Sequence, residues 1–142
     1  MDADLRDPGV ILTQAAQTLD FTQPVAVLLL AVLHFLADAC DPAGVVTTLA
    51  GALAPSSYLA ITHLTADFAR QDVTAAVDAY NSLAPVPVTP RTHDQVIALF
   101  GGLPLLDPGV VAATGWRPAS RLPRRQPADL YAGVARIPAG AR

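Results

Sequence analysis

The feature of the sequence that most constrains its fold is an unbroken apolar run from Val25 to Val32, which Pro24 opens. The run is rich in valine and leucine and has no polar alternation, which is typical of a strand buried on both faces in the middle of a parallel sheet. A core helix is the alternative, because leucine and alanine are good helix formers. We favour the strand, because the next helix-start signal is Asp41-Pro42 and a second apolar run follows after one helix length.

Composition narrows the class of protein further. The chain has 142 residues, of which 52% are hydrophobic and 15% charged, and this suits one domain with one core. Its net charge of −3 gives no reason to expect nucleic acid as a partner. No apolar run is long enough to cross a bilayer and no signal peptide is recognisable, so we expect no membrane and a cytoplasmic location. The single cysteine, Cys40, fits a reducing compartment, and the histidines are too widely spaced for a metal signature.

The first half of the chain has the pattern of a βαβ unit preceded by a helix. Asp7-Pro8 is a cap signal that predicts a helix to about Leu19. A second helix is predicted after Pro42. The residues expected on the inner faces of these two helices are Ile11, Ala15 and Leu19 in the first and Val45, Val46, Leu49 and Leu53 in the second. The segment 58–63, YLAITH, is the second predicted strand, parallel to the first with a right-handed crossover.

The second half is read as helices, a rigid connection and a terminal strand pair. A helix is predicted over 65–83, and the prolines of 84–90 predict an extended connection without regular structure. Thr92 has capping-box spacing before a short helix through Phe100, which Gly101-Gly102 ends. The other predictions are inward Val73, Val77 and Tyr80, a short strand over 103–106, a mobile loop over 116–128, and a last strand over 130–137 with a bulge or close approach at Gly133.

Polar side chains lie at the ends of the two predicted parallel strands. His34 follows the first strand and His63 holds the matching position on the second, with Thr65 close by. Ligands bind at this end of open α/β sheets, so these residues are the substrate-pocket candidates. For His34, pocket lining is favoured over proton transfer, and a half-buried structural histidine is the alternative. His93 is expected to be exposed.

Aromatic residues and the catalytic groups are less well defined. Tyr58, Phe68 and Tyr80 are interpreted as core residues rather than as a substrate cage. Cys40 lacks a convincing base. No catalytic residue is assigned.

Several longer motifs carry a resemblance to a known family. The motifs are DADLRDP at 2–8, LDFTQPVAVLLLAVLHF at 19–35, SYLAITHLTAD at 57–67, DPGVV at 107–111, WRP at 116–118 and YAGVARI at 131–137. Together they resemble an actinobacterial family of S-adenosylmethionine-dependent methyltransferases. The resemblance implies an α/β fold, namely the C-terminal half of a class I doubly wound sheet that is mostly parallel with an antiparallel terminal strand. It also implies methyl transfer to a small-molecule acceptor.

The resemblance further implies where the cofactor would bind. Asp2 and Asp4 match the loop that holds adenine, and Leu33 and His34 match the segment beside the cofactor cleft. The chain has no glycine-rich loop for the methionine end and no second strand ending in an acid for the ribose. We therefore expect residues 1–142 to be a partial domain that is inactive alone, with S-adenosylmethionine the cofactor of a full-length parent.

Three alternatives to an active enzyme remain open from sequence. The chain could be a non-catalytic remnant, a partner subunit, or an unrelated small α/β binding domain. Because half a sheet would leave the face of the Val25–Val32 strand uncovered, we also expect association into homo-oligomers.

Overall fold

The structure is a computed structural model that describes residues 3–118 and 129–140. In these ranges four strands form one sheet in the order β1-β2-β4-β3, accompanied by helices. The elements in chain order are α1 Pro8–Ala15, β1 Ala26–Leu30, α2 Pro42–Gly51, β2 Tyr58–Leu64, α3 Arg70–Leu83, α4 His93–Ala98, β3 Val111–Ala112 and β4 Leu130–Arg136. No helix of the described ranges has both the length and the apolar character needed to cross a membrane.

The predicted βαβ unit is confirmed. β1 and β2 are parallel, with Ala26 opposite Tyr58 and Leu30 opposite Thr62, and α2 joins them. β4 runs antiparallel to β2 over its whole length and also pairs antiparallel with the short β3. The α/β class and the antiparallel terminal strand predicted from the sequence are therefore confirmed.

The two faces of the sheet differ in burial. One face carries the alternate residues Leu29, Leu59, Ile61, His63, Tyr131 and Ala135, all buried in the core. On the other, which we call the open face, Leu28 is 62%, Leu30 53% and Tyr58 40% exposed. β1 is therefore buried on one face only: its sequence pattern predicts burial on both faces, whereas the uncovered face agrees with the expectation for half a sheet. β1 lies at the edge of the sheet. Its apolar sequence indicates a preference for burial, but this preference does not place a neighbouring element over the open face.

The helix starts follow their capping signals. The Asp7 side chain accepts from the Val10 N–H at 3.2 Å, and Asp41 accepts from the Gly44 N–H at 3.0 Å. Thr92 and Gln95 form the complete predicted capping box. These side chains satisfy N–H groups that have no partner within the helix.

Three helices are shorter than predicted and one face was assigned wrongly. α4 ends at Ala98 instead of Phe100. α1 ends at Ala15, and Leu19 is 48% exposed. α3 begins at Arg70 instead of Thr65, and the Thr65 N–H donates to the Asp129 carbonyl next to the strand pair. Tyr80, predicted to point inward, is 44% exposed, whereas Val73 is buried as predicted.

The C-terminal segment packs closely against the core. Only Leu105 of the predicted strand 103–106 forms a β-bridge, with Ala135, since Pro104 has no N–H to donate. A Cβ added to Gly133 would lie 2.9 Å from Val110 Cγ2 and 3.0 Å from Phe100 Cζ, which confirms the predicted close approach. Of the predicted mobile loop 116–128, residues 119–128 lie outside the described residues.

Candidate functional site

The candidate site is the segment that leaves the carboxyl end of β1. Ala31 takes a left-handed conformation, and its N–H donates to the Thr62 hydroxyl at 2.8 Å. A single 3-10 turn over Leu33–Phe35 follows. Leu33 is 0% exposed and Phe35 is 38% exposed, so the turn is anchored in the core while Phe35 reaches the surface.

A buried arginine holds this segment in place. Arg91, only 4% exposed, donates to the carbonyls of Leu33 at 3.2 Å and Leu36 at 2.8 Å, and to the Asp38 carboxylate at 2.7 Å. It also donates to His63 Nε2 at 2.9 Å. We call this arrangement the Arg91 clamp. Sequence analysis missed it, because Arg91 follows a proline-rich connection and no motif or periodicity marks it.

His63 is a neutral core histidine in this structure. A guanidinium can only donate, so His63 Nε2 accepts from Arg91, and Nδ1–H donates to the Leu64 carbonyl at 2.8 Å. Burial lowers the pKa of His63 to about 4, and the positive charge of Arg91 acts in the same direction. Thr65 is also 0% exposed, and its hydroxyl accepts from the Asp67 N–H at 3.1 Å.

His34 lies next to His63 but reaches a groove. The two rings are 5.8 Å apart between centroids, and the His34 ring lies 4.6 Å from that of Phe35. His34 is 8% exposed, and Nδ1 has no hydrogen-bond partner among the described residues. Burial, followed by the charge of Arg91, lowers the pKa of His34. The structure thus brings the two predicted histidines together but places only His34 on a groove.

Two grooves meet at Phe35, which lines both. The His34 groove has a volume of about 580 Å³. It is lined by His34, Phe35, Leu64, Asp72, Val73, Ala76, Val77, Tyr80, Val88 and Asp129. The Asp4 groove has a volume of about 400 Å³. It is lined by Asp4, Leu5, Arg6, Val32, Phe35, Leu36, Ala37, Cys40, Pro85, Val86 and Pro87.

The charged rim of the Asp4 groove is an ion pair. Both Asp4 oxygens accept from Arg6 Nε at 3.0 Å, and these hydrogen bonds lower the pKa of Asp4 to about 2. Asp4 is therefore an ionised acceptor beside apolar walls, which suits the edge of a flat base such as adenine. Asp2, the other predicted adenine contact, lies outside the described residues.

His93 belongs to a separate polar cluster. It is only partly exposed, with 44% of its side chain accessible, and Nε2 lies 2.9 Å from the Val110 carbonyl, so the prediction of an exposed histidine is confirmed only in part. The Asp67 carboxylate accepts from the His93 N–H and from the Tyr131 hydroxyl, each at 3.0 Å. Burial and this carboxylate raise the pKa of Tyr131 to about 12. The cluster joins α4 to β4 and touches neither groove.

The interpretation of three aromatic residues as core is wrong. Tyr58 is 40%, Phe68 36% and Tyr80 44% exposed. Tyr58 lies on the open face, Phe68 packs against Tyr131 at 4.9 Å between ring centroids, and Tyr80 lines the His34 groove. Single exposed aromatic residues are ordinary on a protein surface. Two that line one groove, Phe35 and Tyr80, make that groove a candidate binding site.

Comparison with known proteins gives a consistent picture. A family model described as S-adenosyl methyltransferase matches residues 1–138. A DUF574 family protein of Streptomyces avermitilis superposes with a TM-score of 0.89 at 36% identity, covering 97% of this chain and 54% of that one. A proposed methyltransferase of Thermobifida fusca superposes with a TM-score of 0.86 at 30% identity, covering 98% and 53%.

A more distant structure shares the fold alone. It is an O-methyltransferase family protein of Burkholderia thailandensis, with a TM-score of 0.60 at 14% identity, covering 99% of this chain and 36% of that one. No curated protein matches the chain. The chain spans about half the length of the first two solved relatives. On the family match over residues 1–138, the chain belongs to the S-adenosyl methyltransferase family.

Proposed function

We propose that this chain is part of an enzyme that transfers a methyl group from S-adenosylmethionine to a small-molecule acceptor. The observation that carries the proposal is the family match, which extends over residues 1–138. Family membership argues against the alternative of an unrelated α/β binding domain. The grooves on either side of Phe35 support the proposal, since a transferase of this kind needs cofactor and acceptor side by side.

The Asp4 groove is the part of this chain that fits the cofactor. Its apolar walls and its ionised carboxylate would hold the adenine end, and Cys40 lies in the same wall. Of the other predicted cofactor contacts, Leu33 anchors the segment from the core, and the ring of His34 lines the other groove. The Arg91 clamp fixes Leu36 and Asp38, so the wall between the grooves is rigidly positioned.

Methyl transfer requires the protein mainly to align the acceptor with the methyl group of the cofactor. S-adenosylmethionine supplies a methyl group on a positively charged sulfur, and the acceptor's lone pair forms the new bond while sulfur keeps the electron pair of the broken one. The residues of this chain would therefore act by holding the acceptor in line and excluding water.

We expect the chain by itself to bind S-adenosylmethionine weakly. The sequence has no glycine-rich turn for the methionine end, and the described residues offer no acidic strand end for the ribose hydroxyls. Losing the ribose contacts alone removes charge-assisted hydrogen bonds worth about 1.5 to 3 kcal/mol. Since about 1.4 kcal/mol is a tenfold change in affinity, this loss alone weakens binding by about ten- to a hundredfold. The missing glycine-rich turn weakens it further, so micromolar binding should become undetectable by titration calorimetry.

The decisive comparison is with a version of the chain extended upstream in frame. The extended protein should bind S-adenosylmethionine at micromolar concentration, and Asp4→Ala should weaken that binding. If a folded extended protein binds no cofactor, the proposed function is wrong and a non-catalytic remnant or partner subunit becomes the better reading. Micromolar binding by the short chain would instead show that the site is built in another way.

A further inference from the structure

The His34 groove has the size and the apolar walls of a small-molecule site. Its volume of about 580 Å³ falls within the range of about 300 to 1,000 Å³ that such sites occupy. The aliphatic wall is formed by Leu64, Val73, Ala76, Val77 and Val88. These side chains come from the end of β2, from α3 and from the proline-rich connection. A ligand with an apolar body would bury hydrocarbon surface against all three.

The connection that forms one wall is held in place by two sets of hydrogen bonds. The Asn81 side chain donates to the Val88 carbonyl at 3.0 Å and accepts from the Val88 N–H at 2.8 Å. The Thr89 N–H donates to the His34 carbonyl at 2.7 Å. The groove is therefore preformed, and binding would require little ordering of its walls.

Two aromatic rings line the same groove. Phe35 is 38% exposed and Tyr80 is 44% exposed, and they come from different elements. The face of an aromatic ring carries negative potential and attracts a cation, and this preference extends to methylated ammonium groups. Such a wall would accept an amine both before and after methylation.

The charge of the groove points in the same direction. Asp72 and Asp129 are both in its lining, and no lysine or arginine is among the residues that line it in the described part of the chain. His34 supplies a buried imidazole whose Nδ1 has no partner among the described residues, and its lowered pKa favours the uncharged form. Arg91, whose charge contributes to the lowered pKa of His34, is buried behind the groove, is not among its lining residues and forms an ion pair with Asp38. The lining favours a cation over an anion.

We propose that the His34 groove is the methyl-acceptor site and that the acceptor is a small organic amine with an apolar body. Its role as acceptor site rests on the proposed function, whereas its selectivity for amines rests on the groove alone. In the transfer, the ammonium first releases a proton to solvent at the groove mouth. The nitrogen lone pair then forms the N–C bond, and the sulfur of S-adenosylmethionine keeps the electron pair of the S–C bond that breaks.

The test uses three probes that share one aromatic body and differ in charge. These are 2-phenylethylamine, which is cationic at pH 7, 2-phenylethanol, which is neutral, and phenylacetate, which is anionic. Binding to the isotope-labelled chain is followed by NMR titration. We expect the amine to bind about tenfold more tightly than the alcohol, with phenylacetate weakest, and to shift the His34 ring signals. Added salt should weaken amine binding, since the carboxylates are at the surface.

Variants assign the preference to the groove. The double variant Asp72→Asn, Asp129→Asn should weaken amine binding about fivefold and leave alcohol binding unchanged. Tyr80→Leu should weaken amine binding about threefold. The matched control is Asp78→Asn, which removes an exposed carboxylate of the same helix that does not line the groove. Its amine affinity should equal that of the parent chain.

The outcomes separate this proposal from the proposed function. Equal binding of amine and alcohol, tighter binding of phenylacetate, or no binding of any probe would overturn the amine proposal. The same holds if Asp78→Asn weakens binding as much as the double variant does. Selective amine binding without cofactor binding by the extended protein would uphold the groove's selectivity and refute the methyltransferase function.

Discussion

Arg91 is a residue whose removal should strongly destabilise this structure. It is a buried cation with four partners, of which only Asp38, 76% exposed, is reached easily by water. Truncating it leaves the carbonyls of Leu33 and Leu36 and the His63 ring without a donor. Burying such groups unpaired is among the more damaging effects a substitution can have.

We therefore expect Arg91→Ala to lower the free energy of unfolding by about 3 kcal/mol. Arg91→Lys should recover part of that loss, because an ammonium keeps the charge but lacks the planar fork. Urea denaturation measures both changes, and the exposed Arg70→Ala serves as control. A loss below about 1 kcal/mol for Arg91→Ala would show that the clamp contributes little.

His63 gives the fold a defined pH dependence. Its pKa in the folded state is about 4, below the ordinary value of 6.5. Between these two pH values the unfolded chain binds a proton that the folded chain does not, so stability falls as the pH is lowered through this interval. The pKa of His34 is lowered too, which adds an effect of the same sign.

The measurement is the free energy of unfolding at pH 7 and at pH 4.5, for the parent and for His63→Gln. The titration of His63 should lower the free energy of unfolding of the parent by about 3 kcal/mol or less between the two pH values. The His63→Gln variant lacks this contribution, so its free energy of unfolding should fall by that much less. Carboxylates that titrate in the same range act in both proteins, so the difference between them isolates His63. Identical pH profiles would contradict a neutral, buried His63.

At the scale of elements, α2 depends on an unusual cap. Asp41 accepts from the Gly44 N–H, yet its backbone is left-handed, with φ of 47°. An ordinary residue is strained in that conformation by about 1 to 2 kcal/mol, whereas glycine is not. The cap bond itself is worth about 1 kcal/mol.

Asp41→Ala should consequently lower the free energy of unfolding by about 2 kcal/mol. Asp41→Gly should lower it by only about a few tenths of a kcal/mol. Thermal or urea unfolding of the two variants makes a direct comparison at one position. A larger loss in the glycine variant than in the alanine variant would mean that backbone strain at Asp41 does not contribute.

For the whole molecule, the open face is the feature most exposed to association. Leu28 and Leu30 project from β1, which pairs only with β2 among the described strands and therefore has a free backbone edge. Apolar edge strands of this kind pair readily with other chains. We expect the chain to form homo-oligomers through the β1 edge and the open face.

Sedimentation at micromolar concentration tests this expectation. Leu28→Lys places a charge on the edge strand and should shift the chain toward the monomer. The control is Leu83→Lys at the end of α3, where the native leucine is 89% exposed and belongs to no strand, and it should leave association unchanged. A monodisperse monomer for the parent chain would rule out self-association through this surface.

What the sequence determined by itself is the local and repetitive part of the structure. The caps at Asp7, Asp41 and Thr92 depend on groups within three residues along the chain. The local sequence therefore predicts them whatever the rest of the fold is. The βαβ unit follows from two apolar runs separated by one helix length, and the family resemblance followed from motifs within those segments. These features are set by short-range sterics and hydrogen bonding.

Only the tertiary structure decided which of these surfaces are covered and which polar groups meet. Arg91 reaches Leu33 across 58 positions and His63 across 28, and no local pattern encodes such a contact. An apolar residue shows a preference for burial, but whether a neighbour covers it depends on tertiary packing, which is why Leu28 and Tyr80 are exposed. His34 and His63 are adjacent in space, yet one lines a groove and the other is buried, because packing around each ring sets its access to solvent.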